Sequence, residues 1–296
     1  MNLRPAFILG VVALATLTIV QLGCEQPNSS GNNASGADSN SVSSSGTIKL
    51  NGQIISIPSP NQLAILVQKA NVPFKPEVLS DLSKRELYLD EYKKSMNLGV
   101  YGADLAYLAN YGQAQKANDY FDAVGKLAGE LEVLEHIDGK LVSRLSNNIS
   151  QRDSVLKLSG QFFHSADKYL KNSQRADLAG LILFGGWIES LHLAVEAASV
   201  SAEVKTRIAE QKHACSSLNN LLKEMNNSAM DPIKKELDML TSLYNSLEST
   251  YEYEKPITDS KEKTTYIRSN SSVKMSDEQM AEIKNRIEVI RTLITQ

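Results

Sequence analysis

The sequence predicts an all-α fold: an antiparallel multi-helix bundle or array with short β-hairpin pieces near both ends of the mature domain. Three observations lead there. Beyond residue 60, apolar residues recur every three or four positions over most of the chain, the spacing of one face of an α-helix. Helix-start signals, a Ser or Asp followed by Pro or by Glu/Gln three residues on, precede several of these stretches. One segment, residues 178–198, is apolar nearly all round, as expected of a helix against which others pack.

Taken in order, residues 47–56 (TIKLNGQIIS) set Asn51-Gly52 between alternating apolar residues, the strongest short-range signal for a hairpin. Ser59-Pro60 with Gln62 gives an N-cap, a proline at the first helical position and a capping box. Ser83 with Glu86 repeats that pattern ahead of a helix running to about Tyr111. Tyr120, Val124, Leu127, Leu131 and Leu134 form the next stripe, and Val155, Leu158, Phe162, Ala166 and Tyr169 another. Within the apolar segment, Gly185 and Gly186 each cost about 1 kcal/mol relative to Ala, which close approach of another backbone, or a kink, would offset. Val204, Ile208, Gln211, Cys215, Leu218, Leu222 and Met225 keep one unbroken stripe. Asp231-Pro232 opens a helix striped by Ile233, Leu237, Leu240, Tyr244, Leu247 and Tyr251. Residues 264–276 (TTYIRSNSSVKMS) read as two short strands about a Ser/Asn turn. Ser276 with Gln279 then caps a last helix striped by Met280, Ile283, Ile287, Ile290 and Ile294.

Composition narrows the function classes. With 42% apolar and 22% charged residues among 296, the chain has an ordinary globular balance. Removing residues 1–23 removes only Arg4, leaving 30 Lys+Arg against 34 Asp+Glu and a net charge of −4. That is no footprint for displacing counterions from phosphates, so nucleic acid is set aside as a partner. The two cysteines, Cys24 and Cys215, make no disulfide framework, and Cys215 reads as a small buried apolar residue.

The N-terminus carries the clearest functional signal. Arg4 is followed by an apolar run, Ala6 to Val20, then Gly23 and Cys24, and residues 25–46 turn to Ser, Asn and Gly. This resembles bacterial lipoprotein signals, in which a small residue precedes a cysteine that is acylated before the leader is cut off. Gly23 matches the position before the cut and Cys24 the acylated residue, while Gln21 and Leu22 depart from the usual pattern of Leu and then a small residue. The resemblance implies a signal peptide over 1–23, an acylated Cys24 with a Ser/Asn/Gly-rich tether over 24–46, and a helical domain over 47–296. It implies no cofactor beyond the covalent lipid, of the palmitate type, at Cys24. The expected location is the cell envelope, on the outer rather than the inner membrane, with the membrane contacted through the lipid anchor and an envelope protein as partner. An uncleaved anchor helix is the alternative, but the 17 residues from Ala6 to Leu22, without a stop-transfer cluster, are at the short edge of a span. Residues 97–121, NLGVYGADLAYLANYGQAQKANDYF, and the strand-turn-helix ending, 264–295, look similar to a group of predicted lipoproteins of Bacteroidota. The shared motifs are structural, so the likeness implies fold and location without a catalytic mechanism.

Two constellations are candidate sites. Tyr101, Asp104, Tyr107 and Tyr111 share a helical face and offer the aromatic rings and carboxylate of a small-ligand pocket, although interhelical packing uses the same residues. Gly99, Ala103, Ala106 and Asn110 make a narrow face beside them, where another helix could approach. Glu189 and His192 form an E-x-x-H pair which, joined by His164 and Asp167 from a neighbouring helix, gives a mixed set suited to zinc or iron. A second E-x-x-H is missing, and no nucleophile elbow, P-loop or dinucleotide fingerprint is present. The reading is therefore a non-catalytic envelope lipoprotein with a binding or scaffold domain. A small-ligand binder and a metal-dependent helical-bundle enzyme are the alternatives.

Overall fold

The structure, a computed structural model, describes residues 46–50, 53–57, 60–253, 257–259, 264–266 and 269–296, with side chains over 62–250 and 272–296. All belong to the second of two units into which the chain divides, Val42–Gln296. Gly23, Cys24, the tether up to residue 45, the Asn51-Gly52 turn and the Ser59 cap lie outside the described residues.

The fold is all-α with short antiparallel β pieces at both ends. Strands β1 (Gly46–Leu50) and β2 (Gln53–Ile57) pair antiparallel, with Leu50 opposite Gln53. Helix α1 (Pro60–Lys69) has proline as its first residue. Residues 70–90 then form an irregular strap with two 3₁₀ turns, Pro76–Val78 and Leu82–Leu87. Here the expected helix from Ser83 is corrected: α2 spans Glu91–Asn110. Two caps in series divide the segment. The Asp81 carboxylate accepts from the Ser83 amide at 2.9 Å and starts only a 3₁₀ turn, and Asp90 accepts from Lys93 at 2.8 Å and starts the α-helix.

Helix α3 (Ala114–Glu130) is followed by a 3₁₀ turn at Leu134–His136, α4 (Gly139–Asn147) and α5 (Arg152–Asn172). Helices α2, α3 and α5 end alike: Gly112, Glu132 and Gln174 take φ of 66°, 58° and 62°. The next amide reaches back five residues, from Gln113 to Leu108, Val133 to Ala128 and Arg175 to Leu170. These are Schellman ends, which satisfy carbonyls that the helix leaves open. The Tyr120 to Leu134 stripe thus outruns its helix.

Helix α6 (Ala176–Ala198) is the apolar segment. It is long and apolar enough to cross a membrane, yet nearly all of it is buried among α1, α2, α5, α7 and α10. Its most extensive partner is α2. A Cβ on Gly99 would lie 1.9 Å from the Ile182 carbonyl oxygen, and one on Gly185 1.9 Å from that of Met96. Close backbone approach is therefore the reason for Gly185, and Gly99 on the narrow face of α2 is where it occurs.

The Val204 to Met225 stripe divides into α7 (Ala202–Ala209) and α8 (Lys212–Glu224). Buried Gln211 sits at the break, accepting from the Trp187 indole at 3.1 Å and donating to the Arg207 carbonyl at 3.0 Å. Helix α9 (Asp231–Asn245) ends before Tyr251, which lies on β3 (Glu248–Tyr253) instead of on the helical stripe. The two strands expected after residue 264 are present as β5 (Thr264–Tyr266) and β6 (Ser269–Lys274), but they pair elsewhere, β5 with β4 (Ile257–Asp259) and β6 with β3. Helix α10 (Asp277–Thr295) opens with the expected Ser276/Gln279 capping box and buries Ile283, Ile287, Ile290 and Ile294.

Candidate functional site

The strap determines what the buried charged side chains and several tyrosines do. An irregular segment makes few hydrogen bonds of its own, so its peptide groups need partners when helices cover them. The Tyr111 hydroxyl donates to the Val72 carbonyl at 2.7 Å, and the Lys75 amide donates to the Tyr107 hydroxyl at 3.1 Å. Phe74 packs on both rings, with centroids 5.6–5.7 Å apart. The Val78 carbonyl accepts from His192 Nε2 and from Arg291 Nη2, each at 3.0 Å. The Ser80 amide donates to Asp104 Oδ2 at 3.2 Å, and the Tyr120 hydroxyl donates to the Ser80 carbonyl. Residues of α2, α3, α6 and α10 thus hold one stretch of backbone.

Beneath the strap lies a charged core. Fully buried Glu189 takes a forked pair of bonds from Arg291, 2.7 Å from Nε and 2.9 Å from Nη2, and a third from the Ser80 hydroxyl at 3.3 Å. Burial works to lower the Arg291 pKa, but the Glu189 charge outweighs it and holds the guanidinium above its ordinary range. His192 Nδ1 lies 2.6 Å from Glu288 Oε1. Burial would raise the Glu288 carboxyl, but the bond and charge of His192 outweigh it, leaving Glu288 lowered and ionised. Both ring nitrogens of His192 thus face oxygen atoms, Glu288 Oε1 and the Val78 carbonyl. Asp104 is different. Burial, then the nearby Glu189 charge, pushes its carboxyl well above the ordinary range against the pull of Arg291 and of the Ser80 hydroxyl and amide, and its Oδ1 is buried without a partner. Burial likewise raises the Tyr101 and Tyr120 phenols.

Helix α10 is held in register for this contact. Lys93 Nζ donates to the Leu293 carbonyl at 2.5 Å, and Asn97 Nδ2 donates to that of Ile294 at 2.9 Å, fixing the end of α10 against α2 one turn beyond Arg291.

Glu189 and His192 do share a face of α6, as their spacing predicts, but the proposed metal set is not assembled. His164 is exposed on α5, offset by two residues from buried Phe162 and Ala166, and therefore points away from the packed face. Asp167 is paired with Lys171 at 2.8 Å. Among the described residues, no group of three or more His, Cys, Asp or Glu gathers to hold a metal ion. Tyr101, Asp104 and Tyr107 are buried, and Tyr111 partly so, with the strap on Asp104, Tyr107 and Tyr111 where a ligand is expected. Tyr101 lies deeper, its hydroxyl 3.5 Å from that of Tyr88.

Sequence reasoning passes over Ser80, Glu288 and Arg291, and places Tyr120 on an apolar stripe without its bond to the Ser80 carbonyl. Arg291 adjoins Ile290 on the edge of an apolar stripe, and a cation in that position is the one local signal of a buried partner. Cys215 behaves as expected: it is buried, 3.4 Å from the Thr241 hydroxyl, and burial pushes its thiol up to about 12, which removes the thiolate a nucleophile needs. An open groove of about 570 Å³ runs beside α3, with Phe121, Leu134, Val142 and Phe162 as its apolar lining and Gly125 and Gly129 on one wall. No family model, curated protein or solved structure matches the chain.

Proposed function

We propose that the chain is a lipid-anchored cell-envelope protein whose helical domain is a non-catalytic binding or scaffold unit, carried on the outer membrane by an acylated Cys24 and a polar tether. The observation that carries the non-catalytic reading is the commitment of Asp104, Glu189, His192, Glu288 and Arg291 to one another and to the strap backbone. A catalytic group must reach the atom it transforms, and these are covered by the chain's own peptide. The same contacts weigh against a small ligand on Tyr107 and Tyr111, whose hydroxyls are taken by Lys75 and Val72. The anchor rests on Gly23-Cys24 between an apolar run and a Ser/Asn/Gly-rich stretch.

The test is growth with an alkyne-tagged palmitate analogue, followed by fractionation of the full-length protein beside Cys24→Ala. The expected result is label and membrane association in the parent and loss of the label in the variant. A soluble, unlabelled parent cut upstream of Cys24 would overturn the anchor, and an uncleaved, unlabelled membrane species would replace it with an anchor helix.

A further inference from the structure

The hydrogen-bond supply to the two central carboxyls is unequal. Glu189 receives three donors, two from Arg291 and one from Ser80, whereas Asp104 has donors from Ser80 only, whose hydroxyl is shared with Glu189, and leaves Oδ1 buried without a partner. A carboxylate has about four acceptor positions and is stabilised by donors, so the under-supplied group is the one that suits the uncharged form. The remaining groups around Asp104 do not change this. Those that act on it are Tyr101 and Tyr107 on its own helix, Tyr120 on α3, Glu189 on α6 and Arg291 on α10, while Asp81, Tyr88, His192 and Glu288 face these groups or the strap backbone. The one guanidinium among them is forked onto Glu189.

We propose that the strap is a proton-held latch: Asp104, as the neutral acid, closes residues 72–80 over the charged core, and losing its proton to solvent releases them. In the closed form the carboxyl keeps its proton and its second oxygen accepts from the Ser80 amide. In the open form the carboxylate is hydrated, and Ser80, Val78 and Lys75 lose their side-chain partners. Opening therefore releases one proton, and the open fraction rises roughly tenfold per pH unit once opening proceeds through the ionised form.

The experiment is hydrogen exchange by mass spectrometry on the full chain from pH 5 to 9, corrected for intrinsic rates, comparing peptides over 72–82 with peptides in α9. The expected result is protection of the strap that falls by about tenfold per unit as pH rises above the ordinary carboxylate range, levelling only where the closed-form carboxyl itself ionises, while α9 stays flat. In Asp104→Asn, which keeps an acceptor for Ser80 and has no proton to lose, strap protection is expected to be flat with pH. A pH-independent strap in the parent overturns the latch, as does an unchanged fall with pH in Asp104→Asn. If that variant does not fold, the parent's strap-against-α9 comparison decides alone.

Discussion

Arg291 and Glu189 lie 102 positions apart in the chain and meet in a forked ion pair that solvent does not reach on the Glu189 side. Removing one partner of such a pair strands the other's charge, and that loss is far larger than the net worth of the pair. Glu189→Gln is therefore expected to lower unfolding stability by about 3–5 kcal/mol in denaturant titration. Glu189→Met combined with Arg291→Met is expected to cost less than either single change, because the stranded charge is gone; a double variant as unstable as the sum of the singles would contradict this. At this scale half of the site is legible. Glu189 and His192 can be grouped by their i, i+3 spacing, and Asp104, Tyr107 and Tyr111 by their shared face. What these residues hold is not legible, because Ser80 and Val78 contribute largely through backbone groups that every residue has, and Arg291 is one cation among many until the fold brings it to Glu189.

At the scale of elements, the two central helices approach at Gly99 and Gly185. Gly185→Ala would drive a Cβ into the Met96 carbonyl, which no rotamer change relieves, and is expected to destabilise by about 3 kcal/mol. Gly125→Ala in α3 meets nothing within 4 Å and should instead stabilise by about 1 kcal/mol through helix propensity. Equal effects at the two positions in thermal unfolding would remove close approach as the reason for Gly185. The element types are mostly readable from periodicity, and the Ser276/Gln279 box is present as its sequence implies. Boundaries fail where a signal is absent or doubled. Glu132 and Gln174 end helices in the left-handed region without being glycine, Asp81 and Asp90 offer two caps in succession, and Gln211 breaks a helix while keeping the phase of its apolar stripe. Beyond Leu247, the helical spacing that reaches Tyr251 competes with the strand preference of ESTYEY, and pairing with β6 wins.

For the whole molecule, the strap joins α2, α3, α6 and α10, so its chemistry sets how stability depends on pH. The folded-state pKa of Asp104 lies above its unfolded value, so the folded chain binds that proton more tightly. Its stabilisation is complete below the ordinary carboxylate range and is lost as pH rises through the raised folded-state value. Glu288, held low by His192 despite its burial, works in the opposite sense: its contribution is present above the ordinary value and lost as pH falls through the lowered one. The side chains resembling a ligand or metal site are the seat of the chain's own residues 72–80. Residue-resolved amide exchange at one mildly acidic pH tests this most directly, at the amides of Lys75 and Ser80, which donate to Tyr107 and Asp104. Protection at both comparable with that of the neighbouring helices is the predicted result. Exchange at the rate of an open loop would contradict it and return Tyr107, Asp104 and Glu189 to the role of a vacant site.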